Sequence, residues 1–197
     1  MWRVVLLAFV LMFSALINTY AGNVEVQNVE DNKGGTYVVS ELKEGDVFFH
    51  DRNFTITNIP EEFLGLTQIL TSANCPGGQD YRLTFEIDRP ANVYTAWDSR
   101  HTRPEKRGQD PEGWFTDNYK DTGKVLCLDA PHPTQEDYWI YKSKAAYPKG
   151  EVEILGIDEV IGDPVIMWTI FLEEGSLAVM HDAKLTATWA SVKGGLY

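Results

Sequence analysis

The sequence predicts an all-β fold, a single antiparallel β-sandwich, and three observations predict it. Short runs of β-branched and aromatic residues recur along the chain, divided by Gly, Pro, Asn and Asp. Tyr81, Leu83, Phe85 and Ile87 alternate with Arg82, Thr84, Glu86 and Asp88, the pattern of a strand with one wet and one buried face. Helical signals are scarce: Pro60-Glu61-Glu62-Phe63-Leu64 has proline and acids where a helix start accepts them, but it supplies one turn at most.

In chain order, Asn23 to Gly35 is polar and contains the Gly34-Gly35 pair, so it reads as a linker or a loose first strand. Strands are then expected at Tyr37 to Ser40, Val47 to Phe49, Phe54 to Thr57, Thr67 to Ser72, Tyr81 to Ile87 and Val93 to Trp97. Val125 to Leu128, Tyr138 to Tyr141 and Val152 to Leu155 follow. Val165 to Leu172 is almost continuously apolar, with Pro164 before it and Glu173-Glu174-Gly175 after it, which fits a central strand covered on both faces. Lys184 to Lys193 alternates like a last strand. About ten strands spaced by turns make a sandwich. No internal repeat and no low-complexity tract interrupts them.

The start of the chain reads as an export signal. Met1-Trp2-Arg3 precedes an apolar run from Val4 to Ile17, then Asn18-Thr19-Tyr20-Ala21 places small residues where cleavage would occur. A membrane-spanning helix wants about 20 apolar residues, and this run is shorter. The expected organisation is a signal peptide at 1–21, a linker at 22–35, the sandwich at 36–192 and a tail at 193–197. The product would be secreted or held in the cell envelope, with no membrane association once the signal is removed.

Composition narrows the partners. With 44% apolar and 12% aromatic residues the chain has the material for a packed core. A net charge of −12 repels phosphate backbones and anionic lipid, so nucleic acid is excluded as a partner. Cys75 and Cys127 are the only cysteines. In an exported chain a solitary pair reads first as a disulfide, which would stabilise by about 4 kcal/mol. Two buried thiols or half of a zinc site are the other readings; neither cysteine lies in a C-x-x-C.

An ordered string of motifs carries a further signal. It runs through Asp51-Arg52-Asn53-Phe54-Thr55-Ile56, Ile59-Pro60, Gly65, Ser72-Ala73-Asn74 and Tyr81-Arg82-Leu83-Thr84-Phe85. It continues through Tyr94-Thr95-Ala96-Trp97-Asp98-Ser99-Arg100, Pro111, Trp114, Asp121-Thr122-Gly123 and Tyr147-Pro148-Lys149-Gly150. Across residues 46 to 156 this string resembles a non-catalytic, carbohydrate-binding-like β-sandwich module of secreted, often multi-domain, bacterial polysaccharide-active proteins. The resemblance implies a jelly-roll or galactose-binding-like sandwich that binds glycan or another cell-surface component. The chain departs from the pattern in a longer, charged loop from His101 to Gly113 and in one extra residue before Asp121.

Sugar rings stack a C–H face on flat aromatics while their hydroxyls take planar polar partners. Trp114 and Tyr119, in a polar stretch with Asp98, Arg100 and Asp121, are therefore the candidate ligand residues. For Trp114 a plug for the end of the sandwich is the plainer reading, because large aromatics are mostly buried wherever they occur. The sequence calls for no cofactor, and leaves open one structural calcium ion at Asp117, Asp121 and Asp129, where the D-x-[DN]-x-[DN]-G spacing is missing. The plainer reading of Asp121-Thr122-Gly123 is an aspartate bonding its own backbone.

Catalysis is not expected. Ser99 adjoins Asp98 and His101, but sequence neighbours cannot converge as a triad, and no G-x-S-x-G elbow is present. Glu151/Glu153 and Glu173/Glu174 have no spacing that distinguishes a glycosidase pair from solvated acids. His50, His101, His132 and His181 show no metal-ligand spacing. The expected function is non-catalytic binding; a protein-docking module and a polysaccharide lyase or hydrolase are the alternatives.

Overall fold

The structure is a computed structural model that describes residues 23–73, 80–99, 113–129, 137–156 and 168–177. Two antiparallel sheets form a β-sandwich. The smaller has the order β1 (Val26–Asp31), β5 (Arg82–Ile87), β9 (Gly150–Leu155). The larger has the order β2 (Val38–Glu41), β4 (Thr67–Leu70), β10 (Trp168–Glu174), β6 (Ala91–Asp98), β8 (Asp137–Ser143), β7 (Tyr119–Asp129), β3 (Thr55–Asn58). One short helix, α1 (Trp114–Asn118), precedes β7.

The period-2 pattern on β5 does what it predicts: Leu83, Phe85 and Ile87 turn inward against Val152 and Ile154 of β9. They meet Val93 and Trp97 of β6, Tyr141 of β8, and Trp168, Ile170 and Leu172 of β10 across the space between the sheets. Those side chains are the inter-sheet core. The other face of the larger sheet carries a second apolar layer of Tyr94, Ala96, Leu126, Leu128, Tyr138, Ile140 and Phe171. Residues 42–66 cross this face, running from edge strand β2 to edge strand β3 and back towards β4, and cover it with Leu42, Phe48, Phe49, Ile56, Ile59 and Phe63. This second cover is why β10 is apolar on both sides, and Trp168 to Leu172 forms the interior strand expected of it.

The motif Asp51-Arg52 anchors that crossing. Asp51 accepts hydrogen bonds from the Ser72 hydroxyl at 2.6 Å and the Ala73 amide at 2.8 Å. Burial opposes its ionisation, but the bonds from Ser72 and Ala73 and the charge of Arg52 outweigh burial and hold the carboxyl below its usual range.

Four expectations are corrected. Of the two readings of Asn23 to Gly35, the linker gives way to the first strand, since β1 pairs with β5 and Val24 is buried, its carbonyl accepting from the Thr67 hydroxyl at 2.7 Å. Val47 to Phe49 makes one isolated bridge from Val47 to Thr55, while Phe48 and Phe49 plug the outer layer. The polar stretch around Trp114 is a helical turn. Asp121-Thr122-Gly123 lies inside β7 as a bulge, where the register steps from Asp121↔Tyr141 to Lys124↔Ile140. Val165 to Met167, Lys184 to Lys193, the signal sequence and the tail lie outside the described residues. Among the described residues no helix is long and apolar enough to cross a membrane.

Candidate functional site

The smaller sheet covers only part of the larger one, and α1 closes the inter-sheet core where β7 and β8 extend past it. Gly113 starts the helix with φ 77°, a left-handed conformation that glycine adopts without a Cβ clash. The Asn118 amide donates to the Trp114 carbonyl at 2.8 Å, tying off the single turn. Phe115 anchors it: its ring stacks on Tyr119 at 5.0 Å and meets Trp97 and Tyr141 edge-on at 5.7 and 5.1 Å. Trp114 is half-buried and tilts over Tyr119 at 5.5 Å.

The chain leaving β8 then folds beside α1. Lys144 donates from its backbone amide to the Asn118 carbonyl at 2.7 Å and from Nζ to the Thr116 carbonyl at 2.6 Å. Tyr147 is pinned in both directions to Ala91, with N–H···O distances of 3.0 and 2.8 Å. Its hydroxyl lies 3.4 Å from that of Tyr119. Burial pushes the Tyr119 phenol well above its ordinary range, and burial raises Tyr147 too, with the bond to Tyr119 pulling the other way. Both hydroxyls therefore stay protonated at neutral pH, and either one can donate to the other.

Between α1 and this segment is an open cleft of about 210 Å³, bordered by Asp117, Asn118, Lys144, Tyr147 and Pro148. A second cleft, of about 240 Å³, lies on the other side of the same turn, bordered by Glu25, Gln27, Glu86, Asp88 and Lys149. The turn Tyr147-Pro148-Lys149-Gly150 is the wall between them, its first half facing one cleft and its second half the other. The first cleft is bordered by a carboxylate and an amide, groups that hydrogen-bond neutral polar ligands.

No family model matches the chain, and no curated protein matches it. Solved structures do resemble it. The chain is similar to part of a β-glucuronidase from glycoside hydrolase family 2, with 15% identity and a TM-score of 0.56, over 76% of this chain and 15% of that one. It is also similar to part of a glycoside hydrolase family 138 enzyme targeting pectin rhamnogalacturonan II, with 15% identity and a TM-score of 0.49, over 79% of this chain and 17% of that one. The likeness is one of fold, and the chain spans a small fraction of either enzyme.

The residues singled out by sequence fare unequally. Asp117 borders the first cleft; Trp114 is on the same helix but packs over Tyr119 and does not line that cleft. Tyr119 is 3% exposed and belongs to the core, so its ring is no platform for a ligand. Asp98 is fully buried at the end of β6, away from any open surface. Arg100 lies outside the described residues. Asp121 is exposed but serves the bulge, accepting from the Gly123 amide at 2.7 Å while the Thr122 hydroxyl donates to the Ile140 carbonyl at 2.6 Å.

The calcium trio does not converge. Asp121 and Asp129 are eight residues apart along extended β7, about 25 Å at strand rise, far beyond the reach of one ion. Among the described residues no group of three or more acidic, histidine or cysteine side chains is placed to hold a metal. Cys75 lies outside the described residues, and with it the predicted disulfide partner; the Cys127 sulfur is 3.4 Å from Asp137 Oδ1 and 3.9 Å from Asn58 Nδ2. His101, His132 and His181 are also outside, and His50 Nε2 is 3.4 Å from the Thr36 hydroxyl.

Asn118, Lys144 and Tyr147 escaped the sequence reading as site residues. Tyr147 was visible within its motif; Asn118 and Lys144 carry no local signal, because their place beside the cleft comes from the pairing of β7 with β8. Of the nominated acids, Glu173 accepts from Tyr94 at 2.8 Å, Lys142 at 2.9 Å and Asn92 at 3.0 Å, and Glu174 faces Arg89 at 3.6 Å.

Proposed function

We propose that this chain is a non-catalytic, exported β-sandwich module that binds glycan through the cleft between α1 and the Tyr147 turn. The observation that carries the reading is that cleft: a site of about 210 Å³ with planar polar groups, fixed by a buried aromatic anchor, at one end of a sandwich. The fold likeness to a small part of a glycoside hydrolase supports a carbohydrate-related domain. The acidic balance, −12 overall, supports a ligand other than nucleic acid.

A glycan-array screen of the full chain, followed by calorimetry, tests this. Asp117→Ala removes an exposed acceptor from the cleft and should weaken binding about tenfold, the worth of a hydrogen bond to a charged group, while circular dichroism stays unchanged. Binding by wild type that survives Asp117→Ala and Trp114→Ala undiminished would move the site elsewhere.

One feature favours docking onto a protein as the second reading. Among the described strands β2 lies at a sheet edge, and its Val38 and Val39 are 48% and 43% exposed, an apolar edge of the kind to which an extended peptide can add. Failure of every glycan to bind would favour it.

A further inference from the structure

We infer that the two clefts flanking the Tyr147–Gly150 turn are successive subsites for one linear, non-acidic glycan. This rests on the glycan-binding reading above and adds the number of rings held and their charge class. Each cleft, at about 210 and 240 Å³, falls below the roughly 300 to 1,000 Å³ of a site for a drug-sized ligand, so each has room for one ring-sized unit. Pro148 borders the first and Lys149 the second, and adjacent residues place the clefts on either side of a single ridge. A chain of sugar rings crossing that ridge meets both, whereas a single sugar occupies one.

The ridge is held for this purpose from beneath. Tyr147 is fixed by its two backbone bonds to Ala91 and its hydroxyl contact with the buried Tyr119, so the spacing between the clefts is set before any ligand arrives. Each cleft is bordered by a side-chain amide whose nitrogen already donates within the protein, Asn118 to the Trp114 carbonyl at 2.8 Å and Gln27 to Glu25 at 2.7 Å; the oriented amide oxygen of each is an acceptor for sugar hydroxyls.

Charge selects the ligand class. The second cleft has Glu25, Glu86 and Asp88 against Lys149, and Asp88 is engaged by Arg89 at 2.7 Å. Glu86 is also directly opposite Glu151 in the β5–β9 register. A uronate or sulfated ring entering there brings another negative charge to a negative surface, at a cost in affinity. Neutral and amino-sugar rings meet no such repulsion.

The experiment is an NMR titration of the full chain with β-1,4-linked glucose and N-acetylglucosamine oligosaccharides from one to four rings, and with oligogalacturonate of matched length. We expect affinity for at least one neutral series to rise about tenfold or more between the single ring and the longer oligomers. Gln27→Ala should abolish that gain, with circular dichroism unchanged. Oligogalacturonate should bind at least about tenfold more weakly than the neutral oligomer. Affinity independent of length, insensitivity of the gain to Gln27→Ala, or equal binding of oligogalacturonate would overturn the two-subsite inference and leave the glycan-binding reading standing. Absence of binding for every probe overturns both.

Discussion

The indole rings of Trp97 and Trp168 lie stacked, 5.4 Å apart and within 8° of parallel, on directly paired positions of β6 and β10. Both are nearly fully buried, and Phe115 of α1 meets Trp97 edge-on. The pair joins the middle of the larger sheet to the helix that borders the candidate site.

Truncating either ring should be costly. Trp168→Ala is expected to destabilise by about 3 to 5 kcal/mol, the usual penalty for emptying a buried aromatic site. Urea denaturation measures it. Trp97→Ala should cost a similar amount, and the double variant should lose less than the sum, because contacting residues share the stacking contribution.

Gly175→Ala probes the wall of the first cleft from behind. A Cβ there would stand 2.9 Å from Cβ of Ala146, which borders the cleft, and 3.0 Å from the Asn92 backbone nitrogen. Neither neighbour is a flexible side-chain end, so we expect a loss of about 1 to 3 kcal/mol of stability. Weaker glycan binding should accompany it. Unchanged thermal unfolding would contradict the close approach.

Acid should act through Glu173. Burial opposes its charge, but hydrogen bonds from Lys142, Tyr94 and Asn92 and the Lys142 charge prevail and hold its carboxyl below the usual value of 4.5. A carboxyl lowered on folding contributes stability above its unfolded pKa and loses it as the pH falls towards the folded one. The urea midpoint of wild type should therefore drop below about pH 4.5, and Glu173→Gln should show a flatter acid limb. Parallel limbs in the two proteins would show that the network contributes nothing.

The alkaline limb reports on the tyrosines. Tyr119 and Tyr147 are raised by burial; Tyr94 is raised by burial together with its bond to Glu173 and that residue's charge. Unfolded tyrosine ionises near pH 10, so stability from all three is complete below that pH and declines above it. Ultraviolet difference spectra should show a set of phenols that ionise only as the chain unfolds. Tyr119→Phe should reduce their number.

Much of the sandwich was legible because its core strands obey simple periods. β5 alternates, and β10 is apolar on successive residues because both of its faces are covered. β1 was obscured: it directs only Val26 and Val29 towards the core, and the register slip between Gln27 and Glu30, with Asn28 at φ 52°, breaks its alternation. α1 was illegible for another reason, since five residues cannot show a helical period and its turn is held by Phe115 packing on strands that arrive from elsewhere in the chain. Around the site, Trp114 and Asp117 stood out by residue type. Tyr119 stood out for the same reason and proved to be core, because an aromatic in a polar stretch looks alike from sequence whether it faces inward or outward.

The crossing of residues 42–66 over the larger sheet constrains the order in which the chain can assemble. β2 and β3 follow one another in sequence yet occupy opposite edges of that sheet, and among the described strands only β7 and β8 are both consecutive and paired. Nearly every ladder must therefore close a long loop before its first contacts repay the entropy spent, which places the chain among slow-folding, high-contact-order topologies. β3 has no edge to join until β7 is in place, and the aromatic cover of Phe48, Phe49 and Phe63 has no layer to lie on until β6, β8 and β10 have formed. Any intermediate that has the larger sheet without this cover exposes an apolar outer face open to self-association.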